Sequence, residues 1–232
     1  MLIALAVAGQ FALSRMRPVK SPALEEGFFA ALGGLRSIVA EIVWFRADRL
    51  QEEGRYVELA QLAHALALSE PHTPEIWSYA AWNLAYNVSV MMPTEEDRWR
   101  WVLSAMSLLR DDGLRLNPTS AELHRELAWL FEVKIGADLD SASPLYREKW
   151  REVVADVESR GAWNELSMDP MTMNEIESRF GVADRGDPQY SAIYWAWRGL
   201  RHAKGADARI LGEIVRQARI IYGRRKDGPQ NG

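Results

Sequence analysis

The feature that most constrains this chain is its punctuation. Gly54, Pro71, Pro74, Pro93, Pro118, Pro144, Pro170, Pro188 and Gly205 cut it into segments of helical length, and none of those segments keeps a two-residue apolar alternation. A half-buried strand needs that alternation, so no strand is expected and the fold class is all-α. The spacing predicts helices near 36–53 and 56–69, separated by Gly54, and another at about 75–90. Thr94 is placed to cap a helix whose first turn holds Glu95, Glu96 and Asp97, where the helix dipole favours acids, and which runs to about Arg110. Pro118-Thr119-Ser120 with Glu122 opens the next, to about Ile135. Ser143-Pro144, Asp169-Pro170 and Asp187-Pro188 each read as an N-cap followed by proline at the first helical position, where the missing N–H costs nothing. They predict helices to about Arg160, to near Gly181 and over about 189–203, and a last helix over about 206–222. Short turns between such segments pair them into antiparallel hairpins.

The first residues differ in kind. Leu2 to Leu13 is apolar apart from Gly9 and Gln10, and Arg15, Arg17 and Lys20 follow it. As a helix this run covers about 20 Å, against about 30 Å for a hydrocarbon core. A secretory signal wants its basic residues ahead of the apolar run, and none stands there. The run reads as a short membrane anchor, with an interfacial helix, a helix buried against a partner and an ordinary core helix as alternatives. The expected organisation is an apolar anchor helix over 1–17, a linker and short helix over 18–34, a helical-repeat domain over 35–222 with an irregular insert at about 161–187, and a basic flexible tail over 223–232.

Repetition is visible at helical-hairpin spacing. Ala47 in Trp44-Phe45-Arg46-Ala47 and Ala81 in Trp77-Ser78-Tyr79-Ala80-Ala81 stand 34 residues apart. Gly54, Tyr56 and Pro71 follow Ala47 at offsets of 7, 9 and 24. This resembles the tetratricopeptide repeat, which has a small residue, a turn glycine, an aromatic and a closing proline at those offsets. The second unit is 13 residues longer, with Pro118 lying 37 beyond Ala81, and the excess falls in the loop around 91–97 and in a longer second helix. Leu127-Ala128-Trp129 and Trp195 with Gly199 mark a third and a fourth start. Leu59 and Leu66 depart from the family, standing where it usually has alanine. The runs 46–56 and 193–200 also look like a group of bacterial membrane-anchored repeat proteins. The resemblance implies stacked hairpins with a concave face lined by first helices, suited to an extended peptide or a partner helix.

No chemical constellation competes with that reading. There is no cysteine, which removes disulfides, Cys-ligated metals and thiol nucleophiles. His64, His72, His124 and His202 have no second histidine at ligand spacing, and Glu122 and Glu126 are misplaced for a metal site with His124. Asp138 and Asp140 resemble the start of a calcium loop that lacks its later glycine and closing glutamate, so a loop or capping role is expected. The pairs Glu52-Glu53, Glu95-Glu96 and Asp111-Asp112 read as solvated faces or helix starts. With a net charge of −4 and only Arg224-Arg225-Lys226 as a basic run, nucleic acid is not an expected partner.

Trp82, Asn83, Tyr86 and Asn87 form the candidate protein-binding group. Asparagine is a poor helix-interior residue, and two of them one turn apart call for a reason: contact with a bound chain, or bonds to a neighbouring helix. The pairs Trp99/Trp101 and Trp195/Trp197 point to opposite helix sides, so one of each is expected in the core. The expected function is a non-catalytic, protein-binding scaffold or accessory subunit of a membrane-associated complex, attached through residues 2–13, with no cofactor and no metal. The alternatives are a purely structural subunit packed by its N-terminal helix inside a membrane complex, and a helical cell-wall hydrolase.

Overall fold

The computed structural model describes residues 46, 49, 50 and 52–226. It divides at Arg55 into two compact units. Of the first, residues 46, 49, 50 and 52 are helical, Glu53 is paired with Arg49 at 2.8 Å and Arg55 at 2.9 Å, and Gly54 turns the chain with φ +69°. Ala47, the apolar run 2–13 and most of the expected helix 36–53 lie outside the described residues, as do 227–232.

The second unit, from Tyr56, has eight helices among its described residues and no strand. These are α1 (Tyr56–Ser69), α2 (Pro74–Trp82, continuing through a π-helical turn Asn83–Val88 into Ser89–Met91), α3 (Glu95–Ser107, a π turn Leu108–Gly113, then Leu114–Leu116), and α4 (Ala121–Trp129 with a π turn Leu130–Ile135). Then come α5 (Ser143–Arg160), a 3₁₀ turn Trp163–Leu166, α6 (Pro170–Phe180), α7 (Pro188–Leu200) and α8 (Gly205–Lys226). The expected caps form: Thr94, Ser120, Asp169 and Asp187 each accept a backbone N–H from two or three residues ahead, at 3.1, 3.2, 2.8 and 2.8 Å. Ser143 differs. It is the first helical residue rather than the cap, because Asp140 instead accepts Ala142 N–H at 2.8 Å and Ser143 Oγ accepts Asp140 N–H at 3.3 Å.

The first helices α2, α4 and α7 stand side by side, while α3 packs on α2 and α5, and α8 closes over α4 and α7. Gly199 allows α7 its approach: a Cβ there would lie 2.7 Å from that of His124 on α4. Ala81 is equally buried on α2. Trp99 and Trp195 are in the core and Trp101 and Trp197 are half-buried, as their spacing predicts.

Three successive helices contain π turns, which are rare and free a backbone carbonyl. The α4 turn shows how the loss is made good. Gly136 N–H reaches back five residues to Phe131 O at 2.9 Å, and Ala137 N–H takes Val133 O at 3.3 Å, so Glu132 O is passed over. Gln189 of α7 fills the gap, donating from Nε2 to Glu132 O at 3.1 Å. A Cβ on Gly136 would sit 2.6 Å from Phe131 O and collide with the same Gln189 amide, so only glycine fits.

The last helix also runs further than expected. It continues past 222 to Lys226, because Arg225 bonds Asp187 Oδ1 at 3.1 Å and the carbonyl of Gly136, which holds residues 223–226 in helix rather than in a flexible tail. Among the described residues no helix is long and apolar enough to cross a membrane.

Substituting Gln189 by leucine keeps the volume of the side chain and strips Glu132 O of its donor. Chemical denaturation should show a loss of about 1–3 kcal/mol. A change within error would mean that water or a shifted backbone satisfies the π turn.

Candidate functional site

Ser78, Trp82 and Tyr86 follow one another at four-residue steps along α2. The Trp82 and Tyr86 rings stack with centroids 6.0 Å apart. From α4, Trp129 approaches the Tyr86 phenol and is 44% exposed, so a large aromatic edge faces solvent between the two first helices. Glu75 of α2 and Glu122 and Glu126 of α4 lie along the same face. Arg125 of α4 pairs with Glu126 at 3.0 Å and with Asp207 of α8. Burial first, and the charge of Glu75 second, hold the Glu122 carboxyl above its ordinary pKa. The face is therefore aromatic and underneutralised on the acidic side.

The four residues expected here separate into two groups. Trp82 and Tyr86 are on this face, half-buried. Asn83 is fully buried, and Asn87 is half-buried and donates from Nδ2 to Asn83 Oδ1 at 2.9 Å. The two amides thus meet each other, and among the described residues neither bonds a neighbouring helix. Neighbours in a helix stand about 100° apart, so residues 82 and 86 cannot share one line of the face with 83 and 87. Asn83 Nδ2 and the Tyr86 hydroxyl are buried without hydrogen-bond partners.

Beneath Tyr86 lies a group that sequence reasoning missed. Lys134, 1% exposed, bonds Asp140 at 2.6 Å, and its ammonium stands 5.4 Å from the Tyr86 ring centroid and 5.6 Å from that of Tyr146. Two aromatic faces and one carboxylate compensate the desolvation of the cation. Burial, with the Asp140 charge adding to it, pushes the Tyr146 phenol up, and burial with Glu126 does the same to Tyr86. The available signal was two charges, Glu132 and Lys134, inside the apolar run 130–135. Asp140 has a loop role, accepting Ala142 N–H at 2.8 Å ahead of α5, and Asp138 pairs with Arg147 at 2.8 Å.

Two further buried groups are strongly displaced. His124, 1% exposed, donates from Nδ1 to Ser120 O at 2.8 Å, and burial lowers its pKa to about 4, so it stays neutral. Glu132, 7% exposed, has no hydrogen-bond or ion-pair partner for its carboxyl among the described residues, and burial with Glu213 raises its pKa to about 7. A lone carboxyl of that kind is the chemistry of a general acid or base. It lines neither of two surface clefts, one bounded by α1, α2 and α3 and the other by α6 and α8.

No family model, curated protein or solved structure matches the chain.

Glu132 gives the fold a pH dependence of defined sign. Its pKa is about 7 folded against 4.5 ordinarily. Between these values the unfolded chain releases the proton while the folded chain keeps it, so stability is fully present below pH 4.5 and lost as pH rises through 7. The size is about 3 kcal/mol at most. Glu132→Gln should therefore melt higher than the parent at pH 8 and close to it at pH 4.5. Parallel melting curves across that range would show an ordinary, solvated carboxylate.

Proposed function

We propose that this chain is a protein-binding scaffold, a tetratricopeptide-like accessory subunit of a membrane-associated complex with no catalytic activity of its own. The observation that supports this most is Trp129, half-exposed beside the stacked Trp82–Tyr86 pair on adjoining first helices. Tryptophan and tyrosine supply contact area at low entropic cost and dominate binding energy at protein interfaces. Glu75 and Glu122, which form no salt bridge among the described residues, select a partner segment bearing lysine or arginine, whose cation can also sit over the indole faces. In this reading the contacts come from Trp82, Tyr86 and Trp129. Asn83 and Asn87 act by shaping α2, and residues 2–13 attach the scaffold to a membrane.

A second reading has one observation in its favour. In an open repeat array the first helices keep one side free, whereas α7 is buried along Pro188–Ala196. That closure suits a structural subunit packed permanently inside a membrane complex.

Trp129→Ala separates the two when tagged parent and variant are recovered from detergent-solubilised membranes and their partners compared by mass spectrometry. A scaffold loses at least one partner by about tenfold or more, the effect of a ~1.4 kcal/mol contact, with an unchanged melting temperature. Recovery of the same set in the same amounts contradicts the groove assignment.

A further inference from the structure

A second surface lies away from the α2/α4 face and has the opposite charge. Along α8, Arg209, Arg216, Ile220 and Arg224 fall within about 80° of one another, at 100° per residue, and all four are exposed. Arg219 and Lys226 flank them on the side facing α6, and both are exposed. From residue 209 to 226 the helix has one acid, Glu213, which pairs with Arg216. The cationic strip is about 25 Å long, on a chain whose net charge is −4.

Between the C-terminal ends of α6 and α8 this strip opens into a cleft of about 350 Å³. Arg216, Arg219 and Lys226 rim it, Phe180 and Ile220 supply apolar wall, and no acidic residue lines it. The wall is held in place by Tyr222, whose hydroxyl accepts the N–H groups of Ala183 and Asp184 at 3.0 and 2.8 Å. The nearby acids are engaged elsewhere: Glu177 with Arg185 and Tyr190, Asp184 with Arg151, and Glu175 with Arg201. Arg219 and Lys226 have no carboxylate partner among the described residues, and Arg219 rests over the Phe180 ring at 5.2 Å.

We infer that the outer face of α8, with this cleft, docks on an anionic phospholipid membrane. A strip of this length exceeds what one small anion needs. Its composition is cations with an aliphatic side chain at 38% exposure among them, and the Tyr222 hydroxyl already serves the wall. That is the composition selected at an anionic lipid interface, where each lysine or arginine adds attraction to the headgroup phosphates and aliphatic groups reach the acyl boundary. An acidic peptide would in addition present backbone N–H groups, and no side chain lining the cleft other than the already engaged Tyr222 carries an acceptor oxygen. The inference does not rest on the α2/α4 binding face.

The test uses the full chain and vesicles, either of phosphatidylcholine alone or with part of the lipid replaced by phosphatidylserine. The neutral vesicles measure any attachment through residues 2–13, and the excess on anionic vesicles measures the α8 face. Arg216→Gln with Arg219→Gln should cut that excess by roughly fivefold per cation, about 25-fold together. Binding to neutral vesicles and the circular-dichroism melt should stay unchanged, since both side chains are exposed. Glu213→Gln should increase the excess, and added salt should abolish it. Equal binding of the parent to both vesicle types, or an excess untouched by the double substitution, overturns the proposal. Capture of a polyglutamate peptide by the parent and not by the variant, without any anionic-vesicle excess, also overturns it and assigns the face to an acidic protein partner.

Discussion

A helix buried along most of its length must find partners for the polar groups it brings inside, and the fold is organised around how α7 meets most of that demand, with Gln189 Oε1 and the Trp197 indole N–H left without a partner among the described residues. Gln189 caps the carbonyl that the α4 π turn sets free. Ser191 accepts the Trp150 indole N–H at 3.2 Å, tying α5 to α7. Tyr190 donates to Glu177 at 3.1 Å and Tyr194 to Asp169 at 3.1 Å, tying α6. Gly199 lets α4 approach and Leu211 of α8 fill the remaining space. The bonds to α4 and α5 span 57 and 41 residues and those to α6 join the preceding helix, so α7 cannot be loosened without releasing α4, α5 and α6 together. An unmade buried bond costs more than a made one contributes.

The π turns belong to the same solution. A regular α-helix over 121–135 would pair Glu132 O internally and leave Gln189 with a buried, unsatisfied amide donor. Widening the turn exchanges one backbone bond for a bond between helices. In α2 a π turn covers 83–88 where Asn83 turns inward and the half-buried Tyr86 lies over Lys134, and there Ser89 Oγ of the same helix donates to Ala85 O at 2.5 Å. The aromatic face is thus backed by a caged cation, which holds the Tyr86 ring where Trp82 stacks on it.

Most of the helix boundaries were legible because they are set locally. Proline in the first turn at 144, 170 and 188, and the capping side chains of Thr94, Ser120, Asp169 and Asp187, act within three residues. What was not legible depends on distant partners. The continuation of α8 to Lys226 needs Asp187, 38 residues away from Arg225, and the α4 π turn needs Gln189, 57 residues from Glu132. At the candidate site, the sequence placed Trp82, Asn83, Tyr86 and Asn87 in one group, which the structure divides into a stacked Trp82–Tyr86 pair and an amide pair. It could not say that Asn83 and Asn87 bond to each other, since an i,i+4 amide pair reads the same whether it faces a ligand, a helix or itself. Trp129 was visible as part of a repeat start, yet its exposure is decided by the packing of α4 against α2 and α7.

The central claim is that the α2/α4 face meets another protein. Site-specific photocrosslinking in native membranes tests it most directly, with the photoreactive residue placed at position 129 or, as the comparison, at exposed position 148 on α5. The account predicts a discrete crosslinked protein band from position 129, absent from 148 and reduced by Trp82→Ala. Crosslinking to lipid alone at 129, or the same bands from both positions, would contradict it.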